Sequence, residues 1–214
     1  MSQEDLDIIN RETKKEKYIN FLKNNKKKLI SFLCILILLP FSYFSYQIYK
    51  EKNKEKISSK YNQATINFEN SNKLELKSIM QEIIISKDST YSPLALYFLI
   101  DNNIEVSNED INKYFDIIIN EINLDNEIKN LNIYKKGLFN SSFASENELL
   151  SILKPVISSD SLWRPHALIL LGEYFLDKNQ NQKAKEFFNQ ILNIDNANEI
   201  LKIEAKQRLI SIGG

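Results

Sequence analysis

Apolar residues are arranged in two different ways along this chain. From Leu29 to Tyr46 they run on without a single charge, whereas beyond residue 60 they recur every three or four positions between polar punctuation. Wound as a helix, the stretch between Lys28 and Lys50 is roughly 30 Å long, the thickness of a bilayer's hydrocarbon core. Lys26, Lys27 and Lys28 precede it, and Tyr43, Tyr46 and Tyr49 suit the aromatic belt at its far end. The 28 residues before the run are too many for the n-region of a signal peptide, and no A-x-A-like site follows. A retained single-pass anchor is therefore expected, with Pro40 kinking the helix as membrane helices tolerate. Arg11, Lys14, Lys15, Lys17, Lys23 and Lys26 to Lys28 outnumber Lys50, Lys52, Lys54, Lys56 and Lys60. By the positive-inside rule the N-terminus is cytoplasmic and the large domain lies across the membrane, in a bacterium the periplasm. The opposite topology, with the domain as a cytoplasmic targeting receptor, stays open.

Helical periodicity dominates outside the run. Asp5 to Asn25 reads as a cytosolic helix, either surface-bound, partner-binding or a solvated tail. A helix from Lys50 to Asn70 is followed by one carrying Leu74, Leu76, Ile79, Met80, Ile83 and Ile84. Tyr91 to Asp101 is apolar almost throughout, with Ser92 and Pro93 expected as N-cap and first-turn proline. Then come Ser107 to Ile122, Asp125 to Asn140, Ser145 to Ile157, Pro165 to Asp177, Asn181 to Ile194 and Asn198 to Ile212. Ser107 with Asp110, and Ser145 with Glu148, have capping-box spacing, and Pro155 should kink or end its helix. Only four glycines and four prolines occur, which argues against hairpins. The expected class is all-α: a cytosolic N-terminal segment (1–28), a transmembrane helix (29–49), a juxtamembrane helical linker (50–60) and a helical repeat domain (61–214).

Charge adds little: 28 basic residues balance 28 acidic ones, so no nucleic-acid or acidic-substrate partner is implied. The lysines flanking the apolar run have anionic lipid headgroups as their simplest partners. The one cysteine, Cys34, lies inside that run and leaves no disulfide for the rest.

The repeat signal is strongest near the end. Laid on the 34-residue tetratricopeptide pattern, Gly172 takes the small position where paired helices touch. Leu168 and Leu171 take the large positions before it and Phe175 the aromatic one after it, while Ala184 and Phe188 follow 12 and 16 residues past the glycine. Ala95, Leu99 and Phe115 keep the spacing of Leu168, Gly172 and Phe188 without a glycine, and a plain helical bundle remains the alternative. Trp163 and Arg164 are types enriched at binding hot spots, but the favoured role of Trp163 is to staple the last repeat onto its predecessor. In the pattern's register the inner face of the last repeat is His166, Ile169, Glu173 and Leu176. In the earlier repeat it is Pro93, Leu96, Ile100 and Asn103, with Leu96 and Ile100 equally readable as core.

The whole layout resembles the bacterial inner-membrane tetratricopeptide-like proteins that include the ancillary subunit of the SecYEG translocon. A charged segment (Asn10 to Lys17), one apolar span, a lysine-rich helix and degenerate repeats follow in the family's order. Leu162-Trp163-Arg164, Ala167, Leu171-Gly172, Ala184 to Phe188 and the closing Ala205, Arg208 and Leu209 carry the local match. The first two-thirds of the repeats match in pattern more than in identity. The resemblance implies a cytoplasmic N-terminus, a periplasmic repeat domain, and association with the export translocon, periplasmic chaperones or exported chains.

Catalytic patterns are not found. His166 is the only histidine, no Cys/His cluster offers a zinc site, and the four glycines form no phosphate loop. His166 in a first helical turn, where positive charge is unfavourable, is expected to pack or face solvent. Glu109-Asp110 and Glu146/Glu148 stand at helix starts, where they complement the dipole. The expectation is a protein-binding scaffold, with no cofactor, metal, small-molecule substrate or enzymatic activity. A structural assembly factor for envelope or cell-division complexes is the alternative.

Overall fold

The computed structural model describes the backbone of residues 3–68, 72–195 and 197–213; the side chains of residues 3–12, 18, 29, 32 and 33 lie outside the description. Among the described residues there are ten α-helices and no strand, so the protein is all-α. The chain divides into two compact units, residues 1–56 and 57–214.

The first unit holds α1 (Gln3–Asn24) and most of α2 (Lys26–Ile66). α2 is one helix where separate membrane and juxtamembrane segments were expected, and it continues through Pro40. Among the described residues no helix is long and apolar enough to cross a membrane. The expected span, Leu29 to Tyr46, includes Leu29, Phe32 and Leu33, whose side chains lie outside the description. Within this unit Ile35, Leu36, Ile37, Leu38 and Leu39 are all more than half exposed, five consecutive residues pointing around the whole helix. The lone thiol, Cys34, is exposed as well.

The second unit begins with the end of α2 and continues through α3 (Lys73–Ile85), α4 (Tyr91–Asp101), α5 (Asn108–Glu121), α6 (Asn126–Asn140), α7 (Glu146–Ile157), α8 (Arg164–Asp177), α9 (Asn181–Leu192) and α10 (Glu199–Ser211). From α3 onward each helix packs on its sequence neighbours, and α3, α6 and α8 also reach α5, α8 and α10 respectively. Side-chain oxygens set most helix starts. Asn72, Ser107, Asp125, Ser145 and Asn198 each accept a backbone N–H of the first turn, worth about 1 kcal/mol apiece. Ser145 and Glu148 complete a reciprocal capping box. α4 departs from expectation: it opens at Tyr91, and Asp88 Oδ1 accepts from the amides of Thr90 and Tyr91. Ser92 is buried inside the helix and donates its hydroxyl to Ile83 O, because a serine pressed against α3 has no water to bond. α7 runs two residues past Pro155, whose ring falls in the last turn.

One packing rule recurs. Ala64, Leu99, Gly137 and Gly172 lie 35, 38 and 35 residues apart, each on the first helix of a pair. At 12, 16 and 19 residues beyond each stand Leu76, Met80 and Ile83; Ile111, Phe115 and Ile118; Leu149, Leu153 and Val156; and Ala184, Phe188 and Ile191. All of these residues are buried. The sixteenth-residue side chain meets the small position directly: a Cβ on Gly172 would stand 2.5 Å from the Phe188 ring, and one on Gly137 would stand 2.4 Å from Leu153 Cδ2. Only glycine admits that approach. Bonds between successive pairs keep the same period, since Tyr91 Oη donates to Ser58 Oγ, Tyr97 Oη to Asn132 Oδ1 and Ser161 Oγ to Glu127 Oε2. The unit is thus a helical repeat of four pairs closed by α10, compatible with a tetratricopeptide-like fold.

Candidate protein-binding surface

The expected packing residues are where the pattern put them. Leu168, Leu171, Ala184 and Phe188 are fully buried, Phe175 is 1% exposed, and Gly172 lies beneath Phe188. Phe175 also stacks on Phe187, with centroids 5.4 Å apart. Trp163 is half-buried and lies nearly parallel to Tyr134 of the preceding pair, 5.8 Å between centroids, the contact that stapling requires.

The expected binding residues divide. His166, Ile169, Glu173 and Leu176 share one face of α8 and are each partly buried; Ile169 and Leu176 pack against the core. Leu96 is fully buried, so it belongs to the core and offers nothing to a partner. Its helix is the most apolar of the unit and is packed between α3 and α5. Ile100 is partly buried against the same core. With α6 standing between α4 and α8 in the packing order, the two sets do not form one patch.

What bridges them is Tyr134, which precedes Gly137 by the three residues that separate Leu96 from Leu99 and Ile169 from Gly172. The ring meets both Trp163 and His166, the latter at 5.9 Å, and Trp163 and His166 are 5.3 Å apart. Burial raises the Tyr134 phenol above its ordinary pKa, and the charge of Glu204 on α10 pushes the same way. His166 Nδ1 is buried without a hydrogen-bond partner among the described residues. Beside this cluster Arg208 Nε approaches Glu173 Oε1 to 2.5 Å, an ion pair tying α10 to α8, although the N–H is not aligned for a hydrogen bond. Leu138, one residue past Gly137 as Glu173 is past Gly172, is half exposed. Three rings, an exposed leucine and a half-exposed ion pair therefore line the first helices of the last pairs. Tyr, Trp and Arg are the types that concentrate binding energy when a partner desolvates them.

Sequence reasoning overlooked Tyr134 because it left Gly137 unassigned. The signal was present in the 35-residue step to Gly172 and in Leu153, 16 residues on. It also overlooked Glu127, whose Oε2 accepts from Ser161 Oγ at 2.8 Å and from Leu162 N at 3.1 Å and so holds the turn that presents Trp163.

Two grooves lie elsewhere on the unit. One of about 580 Å³ between α5, α6 and α7 is lined by Asn112, Lys136, Asn140, Phe143, Asn147 and Ser151, among others. Its floor is already satisfied: Asn112 and Asn140 exchange amide hydrogen bonds at 3.1 and 2.8 Å, and both spend their remaining N–H on backbone carbonyls. Lys136 is held by Asp116 at 2.7 Å. These groups lock two helix pairs together and have few donors left for a ligand. A second groove of about 310 Å³ separates the end of α2 from α3, beside the ion pair of Lys60 and Glu82. Among the described residues no group of three or more His, Cys, Asp or Glu side chains is placed to hold a metal ion. Comparison with protein-family models, curated proteins and solved structures gives no match.

Proposed function

We propose that this chain is a membrane-anchored, tetratricopeptide-like α-solenoid scaffold. Its N-terminus is cytoplasmic, its repeats are periplasmic, and it works beside the export channel by recruiting chaperones or holding exported chains. It needs no cofactor or catalysis of its own. The observation that carries the proposal is the fourfold recurrence of a small residue with its three buried partners. Repeats built this way stack into an array whose first-helix faces stay available to a partner, and here that face carries Tyr134, Trp163, His166 and Glu173.

The anchor rests on physical chemistry of the same kind. A helix that is apolar on every side is stable only in a core or in lipid. Ile35 to Leu39, with Phe41 at 71% and Phe44 at 63% exposure, find no cover within their own unit. Lysines at both ends would sit among headgroups.

Photo-crosslinking in native membranes, with the reactive residue at Leu138 or Glu173, tests the scaffold. Adducts with translocon subunits or periplasmic chaperones are expected. Adducts confined to division or envelope-assembly proteins would move the function to those machines. Thiol labelling of single cysteines at Ser2 and Ser211, with Cys34 removed, tests the topology, and a protected Ser2 with an accessible Ser211 from outside is the expected pattern.

A further inference from the structure

The last helix breaks a rule of repeat arrays, whose closing element normally presents a polar outer face. Ala205, fully buried, marks the inner side of α10. Opposite it stand Ile200, Ile203, Gln207 and Ile210, and the three isoleucines are 70%, 52% and 77% exposed. Their spacing of three, four and three residues is that of the a and d positions of a coiled-coil seam. We propose that this face is covered by α10 of a second copy of the chain, packed antiparallel about a twofold axis.

Charge selects both the partner and the direction. Glu199 and Lys206 flank one edge of the seam, both exposed. In an antiparallel pair this edge faces its own copy, so Glu199 of each chain meets Lys206 of the other, giving two ion pairs. A parallel pair would instead bring Glu199 toward Glu204 of the second copy, a like-charge contact. Lys206 and Gln207 have no partner among the described residues, while Glu199 has only a loose contact of 3.7 Å to Lys202. The opposite edge is turned away from the seam: Glu204 is partly buried and acts on Tyr134, and Arg208 is taken by Glu173. The seam repeats once over and is short of the roughly 800 Å² per partner of a standard interface. The dimer is therefore weak, and two-dimensional confinement would strengthen it.

The test uses the full-length chain in detergent and in liposomes, with Cys34 replaced by serine. Antiparallel pairing sets residue 203 of one copy against residue 207 of the other. A mixture of Ile203→Cys and Gln207→Cys chains should thus form more disulfide dimer on mild oxidation than either variant alone. Sedimentation should show a concentration-dependent dimer that Ile203→Lys weakens by about tenfold or more. Glu199→Lys should weaken it as well, and Glu199→Lys combined with Lys206→Glu should restore it. Restoration separates pairing from simple damage to α10, because an acid near a helix C-terminus does not repair a helix. A monomer at every concentration, a dimer indifferent to Ile203→Lys, or failure of the charge swap to rescue would overturn the proposal. Crosslinks from Ile203 only to lipid or to a different protein would overturn it too and assign the face to that occupant.

Discussion

Placing alanine at Gly172 should change sign with its neighbour. In an exposed helix, Gly→Ala stabilises by about 1 kcal/mol because it removes backbone freedom from the unfolded chain. At Gly172 the new methyl would stand 2.5 Å from both Cε1 and Cζ of Phe188. That ring is fully buried and cannot swing clear. Overpacking of this kind costs about 1–3 kcal/mol, so Gly172→Ala alone should be neutral to destabilising by up to about 2 kcal/mol. Phe188→Ala alone should cost about 3–5 kcal/mol. Once the ring is gone the overlap vanishes and the propensity gain remains, so Gly172→Ala in the Phe188→Ala background should stabilise by about 1 kcal/mol. The coupling between the two sites is then the overlap itself, about 1–3 kcal/mol. Urea unfolding of the full chain in detergent reads it through Trp163, the only tryptophan, which sits at the start of the same helix pair. If Gly172→Ala shifts stability equally in both backgrounds, within about 0.5 kcal/mol, the close approach does not govern this pair and the packing rule fails.

Three further outcomes follow from the contacts. Glu127→Ala should expose the turn before α8, blue-to-red shifting Trp163 emission and accelerating exchange of the Leu162 amide, because both of its acceptor bonds go to that turn. Glu146 is held below the usual carboxylate pKa of 4.5 by the Lys183 ammonium, and Glu148 by the Ser145 hydroxyl. Their stabilisation is present above pH 4.5 and lost as pH falls through the lower folded values, so Glu146→Gln with Glu148→Gln should flatten the acid limb of the melting profile. Burial raises the Tyr97 phenol well above its ordinary 10.0. Its contribution is whole below pH 10 and disappears on titration above that, so Tyr97→Phe should soften alkaline unfolding. At neutral pH that variant should lose about 1–3 kcal/mol, since Asn132 Oδ1 is left without its 2.7 Å donor.

The sequence by itself determined the helical class, nearly every helix start beyond residue 100 and the packing of the last complete repeat. Those features depend on near neighbours: a serine three residues before an acid, or apolar residues three and four apart, define a cap or a buried face without reference to the rest of the chain. It could not decide which apolar residues were surface. Leu96 and Ile169 occupy the same register position, yet one is fully buried and the other partly open, because α4 is closed in by α3 and α5 together. Nor could it rank Gly137 as the counterpart of Gly172, since the residue that demands a glycine there is Leu153, brought over it by the return of α7. Tyr134, Glu127 and the Asn112–Asn140 exchange belong to the same group, polar and aromatic residues whose partners lie 28 to 35 positions away. Local spacing sets the helices. Which faces meet, and which face α10 leaves bare, is decided only when helices distant in sequence compete for the same buried volume.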